Sequence, residues 1–203
     1  MPAPERLWSG AFGDEYVERN AALDVRRERF WRPLLAGLPI ATVLEVGCGQ
    51  GGNLAPLVRV LPPRQVWGVD VNEVALERAR RNAPGSNPVY GLAGDLPFRD
   101  GAFDLVFTTG VLIHQPDDAL PAVMDEIVRT SGRFILCGEY HADETVEVPY
   151  RGYRGALFKR DYGRRYADRF PSLRLRSSGF LGPDDGFDRL TYQVFEKGPL
   201  ARS

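Results

Sequence analysis

From about residue 40 onward, the apolar residues of this chain alternate between two rhythms. Thr42–Val46 (TVLEV) is a continuous apolar run ending at a cluster of glycines, the pattern of a strand buried on both faces. Asn53–Val60 reads as a short helix stopped by Pro62 and Pro63. Gln65–Asp70 (QVWGVD) predicts a second strand, and Glu73–Asn82 a helix with Val74, Leu76 and Ala79 at helical spacing. After a turn at Gly85–Pro88 come a third strand at Val89–Leu92 and a fourth at Phe103–Thr108 (FDLVFT). Asp117–Thr130 predicts a helix with Leu120, Val123, Met124 and Ile127 on one side, and Gly132–Glu139 a fifth strand. Strands alternating with helices of this length imply an α/β domain whose parallel sheet is covered on both faces.

The two ends read differently. Ala156–Phe170 predicts a helix, with Phe158, Tyr162, Tyr166 and Phe170 spaced by fours and Arg160 and Arg164 on another face. Leu173–Phe180 and Leu190–Glu196 read as strands joined by the Gly/Pro/Asp-rich loop Gly182–Asp188, an antiparallel finish to the sheet. Near the N-terminus Trp8, Phe12 and Tyr16 also fall at intervals of four, either a helical stripe packing on the domain or a lid over a ligand. No repeat or linker divides the 203 residues, so one domain is expected.

Composition excludes more than it assigns. No apolar run approaches the roughly 20 residues of a membrane span. The start, MPAPERLWSG, has no basic region leading into an apolar stretch, so no secretory signal is expected. Cys48 and Cys137 form neither a disulfide framework nor a zinc site, which points to reduced thiols, a cytoplasmic protein and no metal. The net charge of −1 conceals segregation: residues 151–176 carry nine basic side chains against two acidic ones. Arginine grips carboxylate or phosphate by two parallel bonds, although most charge runs are solvated faces.

The candidate chemistry begins at Glu45-Val46-Gly47-Cys48-Gly49-Gln50-Gly51-Gly52, between a strand and a helix. Glycines there allow a tight turn and a close backbone approach to a ligand. Gly47, Gly49 and Gly52 formally satisfy G-x-G-x-x-G, so a dinucleotide site competes. The carboxylate of Glu45 sits badly beside a pyrophosphate and suits a ligand bearing an ammonium and a sulfonium. Asp70, ending the second strand, can accept from ribose hydroxyls in either case. Asp95 can accept from an adenine amino group with Leu96 alongside the ring.

Taken in order, E-x-G-C-G-x-G-x-N, G-V-D-x-N and G-D-L-P-F-x-x-x-x-F-D-L-V resemble the class I S-adenosylmethionine-dependent methyltransferases from Thr42 to Glu139. The resemblance implies a Rossmann-like, seven-stranded, mostly parallel sheet with an antiparallel last strand and helices on both faces. It implies that the Glu45–Asn53 loop, through Glu45, Gly47, Cys48, Gly49, Gly51 and Asn53, holds the methionine part of S-adenosylmethionine. Asp70 with Val71 would hold the ribose, Asp95 with Leu96 the adenine, and Thr109 would complete the set; S-adenosylhomocysteine would be the product. Residues 1–38 would then be a helical lid, 39–140 the cofactor-binding core, and 141–203 the acceptor-side helix and final strands. The ends of the chain, Trp8-Ser9-Gly10-Ala11-Phe12-Gly13 through Asn20 and Tyr150-Arg151-Gly152-Tyr153 with Leu157–Tyr162, are similar to methylases associated with pseudaminic acid biosynthesis.

Ligands of such sheets bind outside the carboxyl ends of the strands, where both histidines fall. His114 is a candidate base or acceptor-binding residue, beside the plainer reading that it supports the loop before Pro116; His141 has nothing further to mark it. Tyr16 and Arg19 are candidate cofactor contacts. Trp8, Asn20, Tyr150, Arg151 and Arg154 are candidate contacts to an acceptor expected to be small and anionic: a sugar acid, a nucleotide-sugar or another carboxylate-bearing intermediate. Three alternatives stand beside this one. A nicotinamide-dependent oxidoreductase is disfavoured by Glu45 and by the absence of a Tyr-x-x-x-Lys pair. A nucleic-acid methyltransferase is disfavoured because the fourth strand ends Thr108-Thr109-Gly110-Val111, without an Asn/Asp-Pro-Pro-Tyr/Phe clamp, and because the net charge is slightly negative. A non-catalytic cofactor-binding protein would carry the same motifs.

Overall fold

The structure is a computed structural model and describes residues 4–20 and 22–198. Four parallel strand pairings build its core: β1 (Val43–Val46) lies between β2 (Val66–Asp70) and β4 (Phe103–Thr109), with β3 (Asn87–Tyr90) outside β2 and β5 (Ser131–Glu139) outside β4. The sheet ends with a hairpin of β8 (Leu173–Leu181) and β9 (Leu190–Lys197), giving the seven-stranded order β3-β2-β1-β4-β5-β9-β8. Of these seven strands β9 alone runs against the others, pairing antiparallel with both β5 and β8. This is the mostly parallel sheet with an antiparallel last strand expected from the resemblance.

Alternation along the strands divides the core between two faces. Leu44, Val46, Val106, Ile135 and Cys137 pack on one side, under α6 (Leu120–Thr130) and α7 (Tyr162–Arg169). Val43, Leu105, Phe107, Phe134 and Leu136 pack on the other, against α3 (Glu28–Gly37), α4 (Leu54–Leu57) and α5 (Glu73–Asn82). Two short helices, α1 (Pro4–Trp8) and α2 (Ala11–Arg19), precede the core, and a small ribbon, β6 (Val146–Glu147) with β7 (Phe158–Lys159), follows β5.

Several boundaries differ from the sequence expectation, each for a local reason. The helix expected over 53–60 is a single turn, Leu54–Leu57. The third strand is placed earlier, at Asn87–Tyr90, where it matches β2 residue for residue. The helix expected from Ala156 begins only at Tyr162, because the Asp161 side chain accepts from Arg164 N at 2.8 Å and caps it there. Phe158 is consequently extended and pairs with Glu147. The helix expected from Asp117 starts at Leu120, and the N-terminal aromatic stripe is split between α1 and α2.

The outer edge of the sheet is exposed. In β8, Leu175 is 58% and Phe180 61% exposed, Arg174 and Arg176 flank Leu175, and the register against β9 shifts between Leu175 and Ser177.

Candidate active site

The chain leaves β1 for β2 and β3 on one side and later returns to β4 and β5 on the other. A crevice must therefore open at the carboxyl ends of β1 and β4. A cavity of about 700 Å³ lies there. Its inner wall is the glycine loop. Gly47 N and Cys48 N both donate to Val69 O, at 2.7 and 2.9 Å, folding the loop over the end of β2. Gly47 has φ +73°, and a Cβ there would stand 2.4 Å from Val111 Cγ2. Only glycine allows both that backbone and that approach. Gly51, at φ +84°, is buried beneath the loop, where a Cβ would come within 3.1 Å of Ala79 Cα.

Asn53 is the joint of the loop. Its Nδ2 donates to Glu45 Oε1 at 2.6 Å and to Thr109 Oγ1 at 2.8 Å, while its Oδ1 accepts from Trp31 Nε1 and Arg27 Nη1, both at 3.2 Å. Arg27 also donates to Gly186 O at 2.9 Å and lies over the Phe187 ring, so the β8–β9 loop is tied to the same joint. Glu45 is buried, and its Oε2 has no hydrogen-bond partner. Burial pushes its carboxyl up to about 8, partly offset by the Asn53 bond and the Arg27 charge. Asp70 accepts from Gly49 N at 2.8 Å and from Asn72 N at 2.9 Å, and burial raises its pKa as well.

The outer wall is aromatic. The Trp8 ring stands edge-on to Phe12 and Tyr16, each 5.2 Å away between centroids, and 4.5 Å from His114. Tyr150 is 5.5 Å from His114. One side chain anchors α1 and α2 to the core: Asn72 Nδ2 donates to Trp8 O at 3.0 Å and Asp14 Oδ1 at 2.8 Å, while its Oδ1 caps α5 by accepting from Ala75 N at 2.7 Å. His114 Nδ1 lies 2.6 Å from Ala156 O. A carbonyl can only accept, so Nδ1 carries the proton and Nε2 has the lone pair. Burial lowers the His114 pKa to about 4, so the ring is neutral at pH 7. Beside it Gln115 presents a buried Oε1 with no partner.

Cavity walls thus gather Trp8, Tyr16, Arg19, Asn20 and His114 with Glu45, Gly47, Cys48, Gly49 and Asn53. Asp70, Val71, Thr109, Tyr150 and Arg151 complete the candidates that line it. Four others lie elsewhere. Gly51 is under the loop, Asp95 is exposed, Leu96 is in the core, and Arg154 is exposed outside the wall. Gly91 and Ala93, rather than Asp95 and Leu96, face the cavity after β3. Most of the basic segment is absorbed in ion pairs: Arg160 and Arg165 with Asp117, Arg164 with Asp168, Arg169 with Asp125 and Arg176 with Glu196. Sequence reasoning passed over Arg27, Gln115, Tyr140 and Asp188, and gave Asn72, the last residue of the G-V-D-x-N motif, no role of its own; all five line the cavity. Asn72 had a local signal, an Asn two residues after Asp70 and just ahead of a helix.

Strand order, glycine loop and acidic strand ends agree with a comparison of sequences: residues 43–131 match the family model described as a methyltransferase domain. Residues 43–131, 89 of the 203, thus resemble a methyltransferase domain. Over 139 residues this chain is 38% identical to an uncharacterized methyltransferase of Synechocystis, covering 66% of this chain and 63% of that protein. Over 154 residues it is 31% identical to an uncharacterized 37.1 kDa protein in a transposon of Streptomyces fradiae, covering 71% and 44%. The chain spans less than two thirds of the length of either relative. Among solved structures it is similar to the 1,6-didemethyltoxoflavin-N1-methyltransferase of Burkholderia thailandensis, with bound 1,6-didemethyltoxoflavin and S-adenosylhomocysteine. That match has a TM-score of 0.72 at 18% identity, over 98% of this chain and 92% of the other. It is also similar to the magnesium protoporphyrin IX methyltransferase of Synechocystis with bound S-adenosylhomocysteine, at TM-score 0.70 and 15% identity over 96% and 98%. At such identities the likeness is one of fold.

The cavity suits S-adenosylmethionine, the cofactor the resemblance implies. The orphaned Oε2 of Glu45 is a buried acceptor in want of a cation, Asp70 offers a carboxylate to a diol, and at Gly49 the space a Cβ would enter is open. No helix among the described residues is long and apolar enough to cross a membrane, and no group of three His, Cys, Asp or Glu among them could hold a metal ion.

Proposed function

We propose that this protein transfers a methyl group from S-adenosylmethionine to a small anionic acceptor seated between Trp8, His114, Tyr150 and Arg151. One observation carries the reading. One cavity is lined by the Glu45 and Asp70 carboxylates and the glycine loop, and also by a neutral histidine, an unpartnered amide oxygen and an arginine, with Tyr150 beside His114 and Arg151 over the Tyr150 ring. When bound, the cofactor supplies an electrophilic methyl carbon, and the electron pair of the broken bond stays on sulfur.

The chain's own residues align and desolvate the reactants. Glu45 faces the ammonium, Asp70 the ribose hydroxyls, and the Trp8, Tyr16 and Tyr150 rings shut out water. Gln115 Oε1 accepts a hydrogen bond from the acceptor. Where the accepting oxygen or nitrogen has a proton to lose, His114 Nε2 takes it; a carboxylate acceptor needs no base. Arg151 holds the acceptor's anionic group by paired bonds. The acceptor class favoured by this arrangement is a sugar acid, a nucleotide-sugar or a carboxylate-bearing intermediate. The similarity of both chain ends to methylases of pseudaminic acid biosynthesis makes nonulosonic acids the first to try. The two buried free thiols, Cys48 and Cys137, accord with a cytoplasmic location.

Methyl-labelled S-adenosylmethionine, offered with sialic-like acids, nucleotide-sugars, small carboxylic acids, amines and RNA, tests the reading directly. Label should reach one small acceptor. For an acceptor with a proton to lose, His114→Ala should lower turnover by roughly 10²–10⁴-fold with cofactor affinity retained. Arg151→Ala should raise the acceptor KM about tenfold, the loss of one charge-assisted contact. Failure to bind the cofactor, or label reaching RNA alone, would refute the proposal.

A further inference from the structure

Trp8 and His114 line two cavities. Beside the large one is a second, of about 510 Å³, that shares Pro4, Glu5, Trp8 and His114 with it. Its remaining walls are of a different kind. Leu7, Pro116, Ala119, Tyr153 and Ala156 make it largely apolar, and its charged side chains are Glu5 and Asp118. No lysine or arginine lines it among the described residues, whereas Arg151 lines the inner cavity. The carbonyl that fixes the His114 tautomer belongs to Ala156, on the wall of this second chamber. The reacting centre proposed above therefore borders both chambers, and the cofactor would occupy only the first.

We propose that the second cavity is an outer subsite for the acceptor, and that it takes an apolar, non-anionic part of that molecule. This rests on the methyltransferase reading of the first cavity. A volume of this order holds a small ring system. The apolar walls favour burial of hydrocarbon surface. The Glu5 and Asp118 carboxylates, with no lysine or arginine beside them among the described lining residues, repel an anionic group. The acceptor is accordingly two-ended: its anion lies with Arg151 on the cofactor side, its reacting atom at His114, and its apolar extension beyond Trp8. A sugar acid with no apolar substituent would leave the outer chamber empty.

Three probes that share one ring and differ in charge test the subsite: indole, tryptamine and indole-3-acetate. Each is titrated by saturation-transfer NMR into the protein loaded with S-adenosylhomocysteine. Indole and tryptamine should bind, and in the Arg151→Ala protein, which lacks the inner anion contact, indole-3-acetate should bind at least about tenfold weaker than tryptamine. Ala119→Trp, which fills the chamber, should abolish binding of indole and tryptamine while cofactor affinity stays within twofold. Ala119→Leu should give an intermediate loss and serves if the larger side chain is not accommodated. Indole-3-acetate binding as tightly as tryptamine to the Arg151→Ala protein, no binding of indole or tryptamine, or their binding untouched by both Ala119 variants would overturn the subsite. Wild-type protein that does not bind S-adenosylhomocysteine would instead overturn the methyltransferase reading, and it is measured first for that reason.

Discussion

Glu45→Gln removes one charge from the cavity without changing its shape, and pH removes the same charge reversibly. The Glu45 carboxyl has a pKa of about 8 against an ordinary value of 4.5, because it is buried with one oxygen unpartnered. In the empty protein at pH 7 its protonated form exceeds the ionised form by roughly tenfold, and at pH 6 by roughly a hundredfold. A cationic group bound against it requires the ionised form, so binding expels that proton. Cofactor affinity should consequently rise by about tenfold from pH 6 to pH 7, with close to one proton released per molecule bound. The ligand's own amino group begins to lose its charge near pH 7.7–8.0, so the window for the measurement is pH 6 to 7.5. Calorimetric titration with S-adenosylmethionine in buffers of different ionisation enthalpy measures both quantities. Glu45→Gln should flatten the profile and hold affinity near the wild-type value at pH 6. A wild-type affinity unchanged from pH 6 to 7.5, with no proton released, would refute the placement of a cation against Glu45.

Two more expectations follow from the same buried groups and from the N-terminal helices. Glu45 and Glu139, with folded values of about 8 and 7, hold more protons in the folded chain than in the unfolded one, so their contribution is complete below about pH 4.5 and is lost as pH rises through 7 and 8. His114, lowered to about 4, has the opposite sign; its contribution is lost as pH falls from 6.5 toward 4 and is complete above 6.5. Between pH 6.5 and 8 the carboxylates therefore act without that opposition, and the melting temperature of the ligand-free protein should fall; a rise across that range would contradict the assignment. Asn72→Ala deletes two bonds to α1 and α2 and the α5 cap, which at roughly 1 kcal/mol each costs about 3 kcal/mol. Amide exchange over residues 4–20 should accelerate more than exchange in β1 and β4, and equal acceleration throughout would show that Asn72 is not a specific anchor.

The strands were readable because a sheet covered on both faces demands near-continuous apolar runs, and Val43–Val46, Val66–Asp70 and Phe103–Thr109 are such runs, broken only by Glu45 and Asp104 and ended by Asp70 and two threonines. The glycine loop was readable for a related reason: backbone at positive φ leaves a mark in composition. Tertiary choices were less visible. Phe158, Tyr162, Tyr166 and Phe170 keep a helical interval across a boundary that a single carboxylate, Asp161, sets. The basic run looked like one anion-binding face, yet Arg160, Arg165 and Arg169 meet Asp117 and Asp125 more than 40 residues away in sequence. Arg27 and Asp188 reach the cavity through contacts that no local pattern encodes, whereas Asn72 follows Asp70 closely enough to have been suspected.

The exposed edge of the sheet bears on how the protein behaves at high concentration. A nine-residue strand with open backbone donors and acceptors is a template on which another chain can extend the sheet. In β8 two arginines flank the exposed Leu175, and the irregularity after it interrupts a regular ladder. Like charges brought edge to edge repel, and a kinked ladder pairs poorly with a straight one. High salt, which screens that repulsion, or a change of Arg174 and Arg176 to uncharged residues would strip the edge of its guard, and fibrillar or sheet-rich association would begin there while the cavity was still intact.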